Sequence, residues 1–172
     1  MNSVQMHLAL THAPVILSLV GLIMLAVAFF VKNSTLTKTS YVVILIAGIA
    51  ATPVFLTGEG TEEAIENLPG VSEAVIEKHE EVAKLAMISI AVAGLLALVA
   101  LSSFKWQIAS RVLKVAVLIM AVSSGGLMIQ TAHMGGQIRH TEIRSDVAMQ
   151  NDNENGRETE GNAGQQQEKD DD

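Results

Sequence analysis

Residues 13–31 read APVILSLVGLIMLAVAFFV, a stretch without a single charged side chain. An α-helix rises about 1.5 Å per residue, so a stretch of this length covers the roughly 30 Å hydrocarbon core of a bilayer. Inside lipid, every backbone polar group must be bonded within its own segment or a closed barrel, and a single apolar run satisfies this only as a helix. The stretch therefore predicts a membrane-spanning helix.

Three further stretches have the same character, and together they predict an all-α integral membrane four-helix bundle. The first cation, Lys32, follows the first apolar stretch and none precedes it, so we expect this segment to be retained as a span and not cleaved as a secretory signal. The three additional spans are residues 41–57, 82–104 and 112–134.

Charges are divided unequally between the two ends of these four spans. One end, here called face A, receives the N-terminus, the loop at 58–81 and the tail after 134; the other, face B, receives the loops at 32–40 and 105–111. All 18 carboxylates fall on face A, whereas the loops of face B carry only Lys and Arg. Short loops rich in Lys and Arg mark the cytoplasmic side. We therefore expect face B on the cytoplasmic side and both termini on the opposite side of the membrane.

Two segments on face A differ from each other in organisation. Residues 145–172 are rich in Asn, Gln, Gly and acids, which predicts a disordered acidic tail after a membrane domain at 1–144. In the loop at 58–81, Thr61 is a good helix start and Leu-Pro-Gly at 68–70 would stop that short helix. Ser72 would cap a second helix that runs straight into the third span.

All five histidines lie on face A, and the chain has no cysteine. The lack of cysteine excludes disulfides, c-type haem attachment and cysteine-ligated iron–sulfur clusters, but iron or copper could still be bound by imidazole. An ionisable group at the apolar boundary is a functional hypothesis by default. The five are His7, His12, His79, His133 and His140.

Spacing limits how these histidines act together. His7 and His12 are five residues apart, or roughly 140° around a helix, so only one of them points into the bundle. His133 and His140 are seven apart and share a face of an unbroken helix, but Gly135 and Gly136 lie between them and could end or kink it. The glycines also allow a flat group or a neighbouring helix to approach closely.

Three interpretations suit such a site. A haem b takes two imidazoles from facing helices, and the number of histidines allows one or two haems. A bare copper, iron or zinc ion would be bound by histidine together with Glu59, Glu80 or Glu142. Alternatively, the histidines are interface residues with satisfied hydrogen bonds, and the small residues only let the helices pack.

The sequence lacks the residues that several other classes of protein require. The sequence HEEVA has no second histidine for a zinc-peptidase helix, and no phosphate-binding loop, nucleophile elbow or nucleic-acid patch is present. No acid lies in the middle of a span, as ion-coupled transport would require. These observations predict no nucleic acid partner, and they leave open whether the chain is an enzyme.

Four motifs lie at the ends of the spans: HLALTHAPVIL from residue 7, FLTGEGTEEA from 55, HEEVAKLA from 79 and HMGGQIRH from 133. Their order resembles the bacterial membrane family called domain of unknown function 2231. They correspond to the family's His-Pro-x-x-x-His-x-Pro type motif, with Leu8 in place of the first proline, and then to its Thr-Gly, its His-Glu and its Gly-Gly then His motifs. The corresponding residues are His7, His12, Pro14, Thr57, Gly58, His79, Glu80, Gly135, Gly136 and His140.

Relatives in this family are joined to Rieske iron–sulfur or c-type cytochrome domains, so the resemblance implies an electron-transfer setting. We therefore expect a b-type cytochrome-like protein in the lipid bilayer that exchanges electrons with quinol or a periplasmic carrier. Its preferred ligands are His12 and His79, with His140 or His133 as alternatives, and Arg139 is expected to neutralise haem propionates. The alternatives are a metal-binding protein and an accessory subunit of a membrane complex or homo-oligomer.

Overall fold

The structure is a computed structural model that describes residues 3–65 and 71–139. This part of the chain is helical throughout and contains no strand. The helices are α1 (Ser3–Leu10), α2 (His12–Val31), α3 (Ser34–Ile65), α4 (Glu73–Ser102) and α5 (Gln107–Arg139). Helix α4 packs against α3 and α5, and α2 packs against the same two neighbours.

Four segments are long and apolar enough to cross a membrane, as the sequence predicted. They are Val4–Val31, Ser34–Gly58, Glu73–Ser102 and Gln107–Ile138. Large apolar side chains lie on the outside of the helices, including Phe30 at 80% exposure and Ile108 at 82%. In water such a surface would be costly, whereas lipid solvates it. The chain is therefore a multi-pass membrane protein.

The first span is longer than the apolar stretch that predicted it. Helices α1 and α2 follow one another with only Thr11 between them, and the hydroxyl of Thr11 donates to the carbonyl of His7. Pro14, which cannot donate a backbone hydrogen bond, lies in the first turn of α2, where that loss is tolerated. As a result His7 lies on a helix and not in a preceding loop.

The segment after the second span also differs from expectation. No helix starts at Thr61, because α3 continues unbroken to Ile65 and the Thr61 hydroxyl donates to the carbonyl of Thr57. At the other side of the loop, Ser72 is the N-cap of α4 as predicted, but through its backbone: its carbonyl accepts from the amides of Val75 and Ile76. The short loop helices are therefore extensions of the long ones.

Small residues bring the long helices close together. A Cβ placed on Gly48 would lie 3.2 Å from the carbonyl oxygen of Ile90, and one placed on Gly94 would lie 3.6 Å from the Cα of Leu45. Such contacts between backbones are how membrane helices gain packing energy without a hydrophobic driving force. Alanines fill the remaining core between α3, α4 and α5: Ala47, Ala51, Ala86, Ala93, Ala97 and Ala121.

Three predictions concern residues outside the described ranges. They are the Leu-Pro-Gly stop at 68–70, the histidine at 140 and the acidic tail at 145–172. The predicted break at the paired glycines does fall within the described chain, and α5 runs through Gly135 and Gly136 without interruption to Arg139.

Candidate functional site

His7 is held against α3 by a hydrogen bond between ring and main chain. Its Nδ1 lies 3.0 Å from the carbonyl oxygen of Val54. A carbonyl only accepts, so Nδ1 carries the proton and donates it. In a neutral imidazole the other nitrogen, Nε2, then keeps its lone pair. The local geometry thus selects the tautomer that has a free ligand nitrogen.

Two neighbouring residues of α3 complete this contact. The hydroxyl of Thr57 lies 3.4 Å from Nδ1 of His7 and donates to the carbonyls of Pro53 and Val54. A Cβ placed on Gly58 would lie 3.8 Å from Cε1 of His7. The Thr-Gly pair at the end of the second span therefore lies directly against the ring of His7.

His79 of α4 lies against α5. A Cβ placed on Gly135 would lie 3.3 Å from its Cε1 and 3.7 Å from its Nδ1. Nδ1 of His79 is buried and makes no hydrogen bond among the residues that the structure describes, although the main chain of Thr131 lies close enough to influence the ring. A buried nitrogen with unmet bonding capacity is costly.

The two rings lie on different helices at the same end of the spans. His7 is near enough to His79 for a charge on one ring to act on the other. His7 lies beside Gly58 of α3 and presents Nδ1 to the Val54 carbonyl, and His79 lies beside Gly135 of α5. We call this group the His7–His79 site; it comprises His7, Val54, Thr57, Gly58, His79, Thr131 and Gly135.

The other predicted histidines lie elsewhere. Of the pair on the first span, His7 and not His12 faces the neighbouring helices, and His12 is exposed. His133 is also exposed, with its Nε2 3.3 Å from Nε2 of Gln137. The structure therefore places His7 and His79 at contacts between helices, and it leaves His12 and His133 on the outer surface.

The predicted carboxylates and the arginine add little to the site. Glu80 forms an ion pair of 2.9 Å with Lys84, and both side chains are about half exposed. Gly136 is half-buried within α5. Glu59 and Arg139 lie on helices, but their side chains are outside what the structure describes, as are His140 and Glu142 entirely.

The sequence does not predict that the main chain of Val54 and of Thr131 contributes to the site. Val54 and Thr131 are apolar or neutral residues within spans, and only the main chain of each acts at the site, so no motif signals them. Thr57 did carry a signal, since it is one of the residues on which the family resemblance rests. Its hydroxyl lies beside His7, although spacing alone would not have placed it there.

The donor set decides which prosthetic group these residues fit. A bare transition-metal ion takes about four ligands, usually three or more from protein, and the described residues contain no group of three or more His, Cys, Asp or Glu. Haem iron receives four nitrogens from its porphyrin and needs only one or two from the protein. Two imidazoles equal the number of ligands that haem iron would take from protein and are fewer than a bare ion usually takes.

The described part of the chain is all helical, with four segments long and apolar enough to span a membrane. Comparison with protein-family models, with curated proteins and with solved structures found no match for it.

Proposed function

We propose that the protein is a b-type cytochrome-like electron carrier that holds a haem through His7 and His79 at face A. The observation that carries the proposal is the hydrogen bond from Nδ1 of His7 to the Val54 carbonyl. Histidines that bind metals almost always donate their second ring N–H to a carbonyl or carboxylate, because this fixes the ring and makes the ligand nitrogen more basic.

The unmet bonding capacity of His79 supports the same conclusion. If the histidines served only to pack helices, both rings would be expected to have complete hydrogen bonds, as buried polar groups do. His7 meets that expectation, but Nδ1 of His79 does not among the described residues. A ligand at Nε2 of His79 would be compatible with a ring turned so that Nδ1 donates to the main chain of Thr131.

Bound haem would supply one-electron transfer by the ferric–ferrous couple of its iron. The residues of the chain would hold and orient it: His7 from the first span and His79 from the third, with Gly58 and Gly135 allowing the rings to lie close to the neighbouring backbones. A carrier at this end of the spans lies near both the bilayer, where quinol dissolves, and the aqueous phase, where soluble carriers diffuse.

The orientation proposed for this carrier has both termini outside and face A toward the periplasm of a bacterial inner membrane. The distribution of Lys and Arg over the loops of face B supports this orientation. Electrons would pass between quinol in the bilayer and a periplasmic partner such as a Rieske or c-type cytochrome domain.

The test uses purified full-length protein reconstituted with haem. We expect a b-type absorption band after reduction with dithionite and one haem per chain by the pyridine haemochromogen assay, since the described residues form one histidine pair. A protein that stays colourless after reconstitution would contradict the proposal. Stoichiometric copper or zinc in its place would favour a metal-binding protein, and neither haem nor metal would favour an accessory subunit.

A further inference from the structure

The side of α5 that faces away from the other helices carries an unexpected row of polar and small residues. They alternate at spacings of three and four, which places them on one stripe of the helix. The first four are exposed and the last is half-buried: Ser123, Gly126, Gln130, His133 and Gln137. The buried positions of the same helix, including Val117, Ala121 and Met128, lie on the opposite side.

This stripe lies within the segment Gln107–Ile138, which is long and apolar enough to span a membrane. Gln130 makes no hydrogen bond within the described part of the chain. An amide in contact with lipid loses its hydrogen bonds to water and gains none in return, at a cost of several kcal/mol by transfer to hydrocarbon. Gly126 presents bare backbone, since a Cβ placed there would meet nothing within 4 Å. Glycine and glutamine on an outer face are instead typical of contacts between membrane helices.

A second feature of the same face points to a helix as the missing neighbour. Toward face B the stripe continues into an open, shallow surface lined by five residues of α5: Arg111, Val112, Val115, Ala116 and Ile119. Four of these lie at positions i, i+3, i+4 and i+7. That is the arrangement of the hole that receives one side chain of a partner helix in knobs-into-holes packing.

We propose that this face of α5 binds the same face of α5 in a second copy of the chain, forming a parallel two-fold dimer. Copies inserted in the same orientation are related by an axis along the membrane normal, so residues on the stripe meet their own counterparts. A glutamine amide both donates and accepts, so Gln130 is complementary to Gln130 of the partner. The hole between Val112, Val115, Ala116 and Ile119 on each copy likewise accommodates a side chain from the other copy.

The experiment exploits the absence of native cysteine. The full-length variant Ser123→Cys is expressed in membranes, oxidised with copper phenanthroline and separated without reductant. Controls of comparable exposure and depth are Ile88→Cys on α4, 61% exposed, and Ile49→Cys on α3, 64% exposed. We expect a disulfide-linked dimer for Ser123→Cys and only a random-collision background for both controls.

A second variant tests the role of the amide. Adding Gln130→Leu to Ser123→Cys replaces the hydrogen-bonding amide by an apolar side chain of similar size. We expect the dimer yield to fall by about threefold to tenfold, as loss of one interhelical hydrogen bond implies. Gln130→Asn keeps an amide and should retain more of the dimer than Gln130→Leu does.

Three results would overturn this proposal. One is cross-linking of Ser123→Cys no greater than that of the two controls, which would mean that lipid covers the face. Another is a cross-linked product whose mass shows a different protein. The third is a dimer yield that Gln130→Leu leaves unchanged.

Discussion

The ring of His79 lies against the backbone of Gly135, so close that a Cβ on that glycine would be 3.3 Å from Cε1. This contact joins α4 to α5 at the end where His7 joins α1 to α3. Two imidazoles are thereby fixed on separate helices, each against a glycine.

Gly135→Ala should disturb the site without unfolding the protein. The new methyl group requires the His79 ring to move by a few tenths of an ångström, and changes around a ligand histidine cost about tenfold or more in affinity. Helix propensity favours alanine over glycine by about 1 kcal/mol, so folding is preserved. Haem titration of the purified variant measures the effect. Gly126→Ala, on the same helix with open space around it, should bind haem normally; equal affinities for both variants would contradict the prediction.

Ser124→Ala should stabilise the protein. The Ser124 hydroxyl is fully buried and has no hydrogen-bond partner among the described residues. Its removal eliminates an unmet polar group, a gain of about 1 kcal/mol in the free energy of unfolding. Ser18→Ala is the matched control, because the equally buried Ser18 hydroxyl donates to the Val15 carbonyl. Thermal unfolding in detergent should show a higher midpoint for Ser124→Ala and an unchanged or lower one for Ser18→Ala. The reverse order would show that the Ser124 hydroxyl does have a partner.

Chelators should not remove the bound iron. Porphyrin holds its iron through four nitrogens, so dialysis of the reconstituted protein against EDTA leaves both the absorption band and the iron content intact. An ion bound only by histidines and carboxylates would be extracted under the same conditions. Loss of metal in parallel with the loss of any spectral signal would therefore favour the metal-binding alternative.

Single cysteines should report which face is outside. Glu77 and Lys105 are exposed residues near face A and face B respectively. With face A outside, a membrane-impermeant maleimide labels Glu77→Cys in intact cells, whereas Lys105→Cys is labelled only after lysis. The opposite pattern would reverse the orientation that the Lys and Arg distribution predicts.

Apolar stretches predict the four spans well, because lipid requires continuous hydrophobicity and a fully bonded backbone. They do not predict where a helix ends. In this chain α3 continues past Gly58 to Ile65, and α5 continues through Gly135 and Gly136, since glycine within a packed helix is tolerated when a neighbour fills the space.

The spacing of His7 and His12 indicated that only one of them faces inward, but not which one. That choice depends on the rotation of the first span about its axis, which is fixed by contacts with α3 that are remote in sequence. The sequence does not predict the stripe on α5 either. The direction in which a polar residue of an apolar span points is known only once the buried side of the helix is known.

The most direct test of the central claim compares three alanine variants by their reduced-minus-oxidised spectra after haem reconstitution. His7→Ala and His79→Ala should each lose the b-type band or bind haem far more weakly, because each removes one of the two proposed ligand nitrogens. His12→Ala removes an exposed imidazole from the same span as His7 and should retain the full band. A band that survives both His7→Ala and His79→Ala, or that is lost with His12→Ala alone, would contradict the proposed site.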